Sequence, residues 1–245
     1  MTATADRANV GEVKEDREAV ETPFRERYDH ALDNPRLAKN VTQYQRNWRA
    51  NRTNAMLEVD FIDLREELRA AKTDAIDRID HYLDQFKTMA ERAGAKVHFA
   101  ADADEANRLV LDICRERGIT EIVKSKSMVS EEVHLNHHLE DAGITPVETD
   151  IGEWIVQQAG QRPSHIVGPA LHMGRQEVGQ LLNRLGHDVG LEDIPRQVQI
   201  IKDEIRPHFF TAGAGMTGSN ALIAETGTVV TCTNEGNARA TSSVP

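Results

Sequence analysis

From residue 95 onward, short apolar runs alternate with segments of helical period, and this alternation limits the chain to few folds. The periodic segments predict helices, some with clear end signals, such as Asp102 or Asp104 before one helix and Gly118 after it. The predicted strands cover 96–100, 121–124, 145–149 and 164–168, and the predicted helices cover 102–117, 131–141, 152–159, 175–185 and 195–206. Strands that alternate with helices form a mainly parallel sheet with helices on both faces. The predicted fold class is therefore α/β.

The part of the chain before this alternation predicts only helices. Apolar residues recur every three or four positions from residue 53 to residue 93, and Gly94 ends the pattern. Breaks are expected at Asn34–Pro35 and near residues 60–63. Residues 1–22 are polar and lack any period, which is typical of a disordered arm. We therefore divide the chain into an arm over 1–22, a helical region over 23–93 and an α/β domain over 94–245.

The end of the chain is unusual for a complete domain. The run 228–232 (TVVTC) is β-branched, and we expect it to lie in the body of a sheet. Only a short polar segment follows it. The sequence therefore predicts a fragment whose α/β domain is truncated at its C-terminal end, with a short ordered tail as the alternative.

Charge and cysteine content exclude several classes of partner and cofactor. The chain has 29 Lys and Arg against 40 Asp and Glu, a net charge of -11, which disfavours nucleic acid or an anionic membrane as the main partner. It has no apolar run long enough for a membrane span and no secretory signal, so we expect a cytoplasmic location. Its two cysteines, Cys114 and Cys232, are expected in the core and are too few for a tetrathiolate zinc site or an iron–sulfur cluster.

Ligands of parallel sheets bind at the carboxyl ends of the strands, which here points to three loops. The first, 125–129, follows Lys124 and contains Lys126 and Ser127, so that it could bind an anion at a helix N-terminus. The alternative is a solvated loop in which Ser130 caps the next helix. The second loop ends at Asp150, and the third ends at His172.

A glycine-rich segment precedes a further candidate, the carboxylate of Glu225. Gly213, Gly215 and Gly218 fit the spacing of a dinucleotide fingerprint, but a strand follows them rather than a helix, so we expect close backbone approach instead. Glu225 lies between two apolar runs that predict a hairpin. A partly buried glutamate there could have a raised pKa and act as acid, base or nucleophile, or it could be a hydrogen-bonded turn residue.

Three histidines, His134, His137 and His138, fall on one predicted helix. His134 and His138 are four residues apart, a spacing at which two side chains can share a metal. A solvated helix face is the favoured explanation, because Glu131 and Glu132 precede the pair rather than fall inside it. No metal site is predicted.

Several long motifs in fixed order resemble one family. They are VKSKSMVSEE (123–132), LNH (135–137), PVETDIGEWIVQ (146–157), PSHIVGPALH (163–172), GSNALIAETG (218–227) and TNEG (233–236). From about Asn40 to its end, the chain is similar to the lactate utilization protein B family, the iron–sulfur members of the LUD-domain proteins. It departs from the family's usual pattern at Gly213, where an aspartate is common, and at Ala238, where a glycine is common. Ala238 would be strained if that position required a positive φ.

The resemblance implies a fold like that of ribose-5-phosphate isomerase, glucosamine-6-phosphate deaminase and the CoA transferases. It also implies a role in oxidising L-lactate to pyruvate, with two companion subunits, one cysteine-rich and one a second LUD protein. Full-length members carry two [4Fe–4S] clusters in a ferredoxin-like segment, and this chain can bind neither. On this reading a small anionic ligand is held by Lys124, Lys126 and Ser127. The further residues expected at the site are Asp150, His172, Gly218, Asn220, Thr226 and Gly227, with Asn220 and Glu225 on the opposite wall.

Two other functions stay open at this point. The domain could be a small-molecule enzyme of the CoA-transferase or sugar-phosphate-isomerase type, in which Glu225 is the nucleophile or base. The chain could also be a scaffold whose helices over 23–93 dock a partner.

Overall fold

A computed structural model describes residues 24–165, 168–233 and 235–245, so the predicted arm over 1–22 lies outside the described residues. The helices are α1 (Phe24–Leu32), α2 (Pro35–Met56), α3 (Phe61–Asp77), α4 (Ile79–Arg92), α5 (Ala103–Arg117), α6 (Met128–Glu132), α7 (Leu135–Asp141), α8 (Ile151–Gln158), α9 (Arg175–Arg184), α10 (Ile194–Ile205), α11 (His208–Thr211) and α12 (Asn237–Ser243). The strands are β1 (Glu121–Lys124), β2 (Thr145–Glu148), β3 (Ala214–Met216), β4 (Ala221–Ile223) and β5 (Thr228–Val230). None of the helices in these ranges is both long and apolar enough to cross a membrane.

The N-terminal helical region has the breaks that the sequence predicts. Asn34 caps α2 and Pro35 is its first residue; Asp60 caps α3 with a hydrogen bond from the Asp63 N–H. A further break at Arg78 separates α3 from α4. Helices α2 and α3, which the structure describes in full, bury none of their residues.

A three-stranded parallel sheet in the order β2–β1–β3 forms the centre of the α/β domain. Neighbouring residues of a strand point to opposite faces. Ile122 packs with residues of α5 and α7 on one face, and Val123 packs with Val147 and Phe209 on the other. Helices therefore cover both faces, which confirms the predicted α/β fold class.

A second apolar cluster lies among α8, α9 and α10 rather than on the sheet. Its buried members are Trp154, Ile155, Leu181, Leu182, Val189, Ile200, Ile201 and Ile205. Helix α10 starts here because Asp193 is its N-cap and Pro195 is its second residue. The cluster holds α8 in place, and α8 lies at the carboxyl end of β2.

Three local predictions were wrong, and a fourth, the strand over 164–168, falls partly outside the described residues. Residues 96–100 form no strand, because this run lies exposed and no described strand pairs with it. The described residues of 164–168 are bends and loop, and Ile166 and Val167 lie outside the described set. The helix predicted over 131–141 is broken at His134, which has φ of 54° and precedes α7. His134 therefore does not share a helix with His137 and His138.

The hairpin predicted around Glu225 is present, but it does not lie in the body of the main sheet. Strands β4 and β5 pair only with each other, in antiparallel register, and largely face solvent. The hairpin leans on α4, since a Cβ at Gly227 would overlap the backbone of Ala90. Cys232, which follows β5, is exposed, so the prediction that both cysteines lie in the core holds only for Cys114.

The last helix, α12, packs on the sheet next to β3. A Cβ at Gly215 would overlap the carbonyl oxygen of Thr241, so the helix sits directly on this glycine. This is the close backbone approach that the glycine-rich segment predicts. Ala238 lies inside α12, buried and with a negative φ, so the strain considered for it is not present.

We predict that Gly215→Ala destabilises the domain. The added methyl group must push α12 away from β3, and overpacking of this kind costs about 2–3 kcal/mol. Urea unfolding measures the loss. Gly190→Ala is the matched control, because its Cβ would make only an ordinary contact with Asp193. Equal stability of the two variants would contradict the proposed contact.

Candidate functional site

Two adjacent parallel strands bring a lysine and a glutamate together inside the domain. Lys124 and Glu148 are register partners at the carboxyl ends of β1 and β2. The Lys124 Nζ lies 2.7 Å from the Glu148 Oε1, and the two residues are only 1% and 6% exposed. Asn136 of α7 completes the group, since its Oδ1 accepts from Lys124 at 2.6 Å and its Nδ2 donates to Glu148 at 2.9 Å.

This arrangement fits the cost of burying charge. Moving an ammonium and a carboxylate out of water costs several kcal/mol each, and the cost is offset only when both charges are fully paired. Each charged group here has two partners. The charge of Lys124 is therefore paired within the domain, although the residue also lines the cavity described below, and its role as a ligand residue stays a prediction.

A second, less buried ion pair lies beside the first. Lys126 contacts the Glu153 carboxylate of α8 and lies 4.0 Å from that of Glu131 in α6. Burial raises the pKa of both Glu131 and Glu153 above the ordinary value, and Lys126 acts against that rise. We call Lys124, Lys126, Glu131, Asn136, Glu148 and Glu153 the ion-pair cluster.

A cavity of about 600 Å³ opens beside the ion-pair cluster. Most of its lining residues are polar or charged, and the lining consists of Lys124, Ser130, Glu131, His134, Asn136, His137, Glu140, Glu148, Glu153, Val156, Gln157, Gly160, Gln161, Arg162 and Pro163. Arg162 differs from the two lysines, because its exposed side chain forms no ion pair with any residue that the structure describes. It is thus the guanidinium in this lining that can receive an anion.

Two predicted ligand residues instead hold helix ends. Ser127 is the N-cap of α6 and accepts from the N–H of Ser130, so the cap is Ser127 and not Ser130. Asp150 is the N-cap of α8 and accepts from the N–H groups of Gly152 and Glu153. Both side chains lie at the strand ends as predicted, and the Ser127 Oγ and the Asp150 Oδ1 each accept from backbone N–H groups.

The third predicted loop, which ends at His172, contacts the lining residue Gln161. His172 hydrogen-bonds through Nε2 with the Oε1 of Gln161, at 2.7 Å, and Gln161 lines the cavity. Burial lowers the pKa of His172, so the neutral ring is favoured. His172 is therefore one contact removed from the cavity.

The structure divides the predicted residues of the 218–227 segment between two places. Gly218 lies against the Lys126–Ser127 backbone, and a Cβ there would be 3.4 Å from the Lys126 oxygen. Asn220 ties the two hairpin strands together, as its Oδ1 accepts from the Cys232 N–H at 2.7 Å. Thr226 hydrogen-bonds with Thr228 in the exposed turn.

Glu225 lies exposed in the same turn, which ends at Gly227, and is not part of the cavity lining. The partial burial that the sequence suggested for Glu225 is not observed. Its role as acid, base or nucleophile stays a prediction, and no buried environment supports it.

The sequence did not single out Asn136, Glu153 or Arg162 as site residues. The sequence did contain a signal for Glu153. It stands within the apolar run of α8, so a helix that buries this run also buries its carboxylate. Glu235 had none. Its carboxylate accepts from the Ile151 N–H at 3.3 Å, and burial, with Asp150 nearby, raises its pKa.

The cavity lining contains histidines and carboxylates, but they are not arranged as a metal site. Among the residues with described positions, no group of three or more His, Cys, Asp or Glu side chains could hold a metal ion. Cys114 is buried in the core and Cys232 is exposed after the hairpin. Two separated thiols do not fit a [4Fe–4S] cluster, which needs about four.

Comparison with known proteins places this cavity within one domain family. The profile of the LUD domain matches residues 83–245. The chain is 37% identical over 228 residues to lactate utilization protein B of Oceanobacillus iheyensis, which covers 92% of the chain and 47% of that protein. It is 36% identical over 226 residues to the uncharacterized electron transport protein YkgF of Escherichia coli K12, covering 91% of the chain and 47% of that protein. No solved structure gives a significant match.

A third relative gives the same picture. Lactate utilization protein B of an Exiguobacterium species is 36% identical over 227 residues, covering 92% of the chain and 48% of that protein. The chain thus spans about half the length of the curated relatives it matches.

We predict that removing one charge of the buried pair destabilises the protein strongly. Lys124→Met leaves Glu148 buried with only Asn136 as a partner, which lowers the free energy of unfolding by about 3–5 kcal/mol. Urea denaturation measures this. The double variant Lys124→Met with Glu148→Leu removes both charges and recovers most of the loss. A double variant as unstable as the sum of the two single variants would contradict the pairing.

We also predict a pH-dependent effect of Glu131→Gln. Because burial raises the pKa of Glu131 in the folded state, the native protein binds more protons than the unfolded chain between pH 4.5 and that raised pKa. The contribution of this carboxyl to stability therefore falls as pH rises through the window. Glutamine mimics the protonated acid, so the variant melts higher than the parent at neutral pH, and the difference shrinks toward pH 4.5.

Thermal melts across this pH range test the prediction. Glu132→Gln is the control, since Glu132 is exposed on the same helix and should show little difference from the parent. A melting difference for Glu131→Gln that does not change with pH would contradict the assignment.

Proposed function

The chain belongs to the LUD-domain family, and we propose that it is the LUD portion of a lactate-utilization protein that takes part in oxidising L-lactate to pyruvate. The observation that carries the proposal is the similarity to lactate utilization protein B, which extends over 92% of the chain at 37% identity. The Escherichia coli relative is named as an electron transport protein, which supports a redox role for proteins of this kind.

Electron transfer in this proposal takes place outside the described domain. The two cysteines cannot ligate a cluster, so the [4Fe–4S] clusters of the wider family would need ligands that this chain does not supply. The companion subunits, one cysteine-rich and one a second LUD protein, would accept or deliver the electrons. The free thiols of Cys114 and Cys232 fit a reducing compartment such as the cytoplasm.

The chain's own part is to bind a small carboxylate in the cavity beside the ion-pair cluster. Arg162 can form two parallel hydrogen bonds with a carboxylate, a geometry that a lysine cannot supply. Lys126 is the second candidate contact: it lies just outside the lining and pairs with the lining residue Glu153, and its side chain is 22% exposed, so that it can exchange Glu153 for a ligand.

The carboxylates of the lining oppose an anionic ligand unless they are protonated. Glu131 and Glu153 have raised pKa values, so they lose their charge earlier than exposed glutamates when the pH falls. Once these two carboxylates are neutral, a carboxylate ligand competes with fewer negative charges for Lys126 and Arg162. Affinity for a carboxylate should therefore increase as the pH is lowered.

We predict that L-lactate and pyruvate bind the chain and that Arg162→Gln weakens this binding about tenfold, the effect of losing one charge-assisted hydrogen bond pair. Isothermal titration at several pH values measures the affinity and its increase at lower pH. Arg184→Gln is the control, because Arg184 is exposed on α9, away from the cavity lining.

The same titration separates this proposal from the enzyme alternative. Binding of an acyl-CoA or a sugar phosphate that is lost in Glu225→Gln, together with no binding of either carboxylate, would contradict the proposal. It would favour an enzyme of the CoA-transferase or sugar-phosphate-isomerase type instead.

A further inference from the structure

Helix α3 presents an apolar face that is largely exposed in the described chain, although Arg52 of α2 lies over the ring of Phe61 at one end of it. Leu64 and Leu68 are 52% and 55% exposed, and Ala71 is exposed as well. Phe61 and Ala75, at the two ends of the same face, are partly exposed. Exposed leucines on one side of a regular helix are unfavourable in water, since each leaves apolar surface that burial would stabilise.

The spacing of these residues is that of a coiled coil. Phe61, Leu64, Leu68, Ala71 and Ala75 are separated by 3, 4, 3 and 4 positions, which are the alternating a and d positions of a heptad. The large side chains stand in the first half of the helix. The two alanines in the second half allow a partner helix to approach closely.

The residues that flank this face carry charges in a regular order. The g positions are Asp60, Glu67 and Asp74, all acidic, and the e positions within α3 are Arg65 and Lys72, both basic. Glu67 and Lys72 have no ion-pair partner among the described residues. Their side chains are thus free to pair with another molecule.

In a parallel pair of helices, a g residue faces the e residue five positions later on the other helix. Asp60 would then face Arg65, and Glu67 would face Lys72, each twice because of the two-fold symmetry. In an antiparallel pair, g residues face g residues, which would bring acidic side chains together. The charges therefore favour a second copy of this chain, in parallel orientation.

We propose that α3 mediates self-association of this protein as a short parallel coiled coil between two copies. The apolar face supplies the attraction, and the charge order selects the partner and its direction. The proposal does not depend on the proposed function, because α3 lies outside the cavity lining and outside the LUD-domain match.

Charge reversal on the full chain tests this proposal. Sedimentation equilibrium over a concentration series gives the dissociation constant of the dimer. Glu67→Lys and Lys72→Glu each replace two attractive pairs by two repulsive ones, and each should raise that constant about tenfold. The double variant restores attraction with the signs exchanged, so its dissociation constant should return toward that of the parent.

Two further variants separate this effect from general changes in charge or folding. Asp77→Lys makes the same change in net charge at a c position, on the outer side of the helix, and should leave the dimer unchanged. Leu68→Asp removes a central apolar contact and should give a monomer. Its circular dichroism and melting temperature should stay close to those of the parent, because Leu68 is exposed in the single chain.

Three results would overturn the proposal. They are a parent that stays monomeric at every concentration, a Glu67→Lys variant that dimerises as well as the parent, and a double variant that is not rescued. If the parent is monomeric, the apolar face of α3 would instead be a binding surface for a segment of a different protein. Failure of rescue would show that any dimer uses another arrangement.

Discussion

The ion pair between Lys124 and Glu148 is the constraint on which the centre of this domain depends. A buried charge without a partner is costly, so the two strands must align with these residues side by side. A shift of one residue in the register would turn the side chains to opposite faces of the sheet. Asn136 adds a third requirement, because it fixes α7 over the ends of both strands. One polar group of three residues thus sets the register of β1 and β2 and the position of the helix between them.

The same pair determines what the neighbouring cavity can bind. Since the charge of Lys124 is paired internally, we expect a ligand to find positive charge at Arg162 in the lining and at Lys126 just outside it. The carboxylates of Glu131 and Glu153 are held close to them in partly buried positions, where burial disfavours their ionised form. The site is therefore a mixed-charge cavity whose preference for anions changes with pH, rather than a fixed basic pocket.

The sequence predicts the elements of this fold better than the environments of its side chains. Helix ends follow local rules, and so Asp102, Gly118 and the Asn34–Pro35 break could be found from a few adjacent residues. The run 96–100 has the composition of a strand, but a strand also needs a partner edge, which no local pattern reveals. The pairing of Lys124 with Glu148 could not be predicted, because Glu148 stands 24 residues away and only the sheet register joins them. The core position expected for Cys232 and the partial burial expected for Glu225 were wrong for a related reason, since the hairpin pairs with itself and not with the main sheet.

The N-terminal helices show how a segment without its own core can still be ordered. A long polar helix such as α2 gains little from propensity alone and needs external contacts. It has them near its start, where Asn40 donates to the Leu171 carbonyl, Arg36 pairs with Glu177, and Tyr44 packs edge-on against His165. These contacts join α2 to the loop that contains His172, to His165 before it and to the start of α9. On the apolar face of α3, Arg52 lies over the ring of Phe61, while Leu64 and Leu68 remain more than half exposed. A helix whose leucines are exposed in the single chain but spaced as in a coiled coil is best explained by association, and its charge order makes a second copy the matching partner.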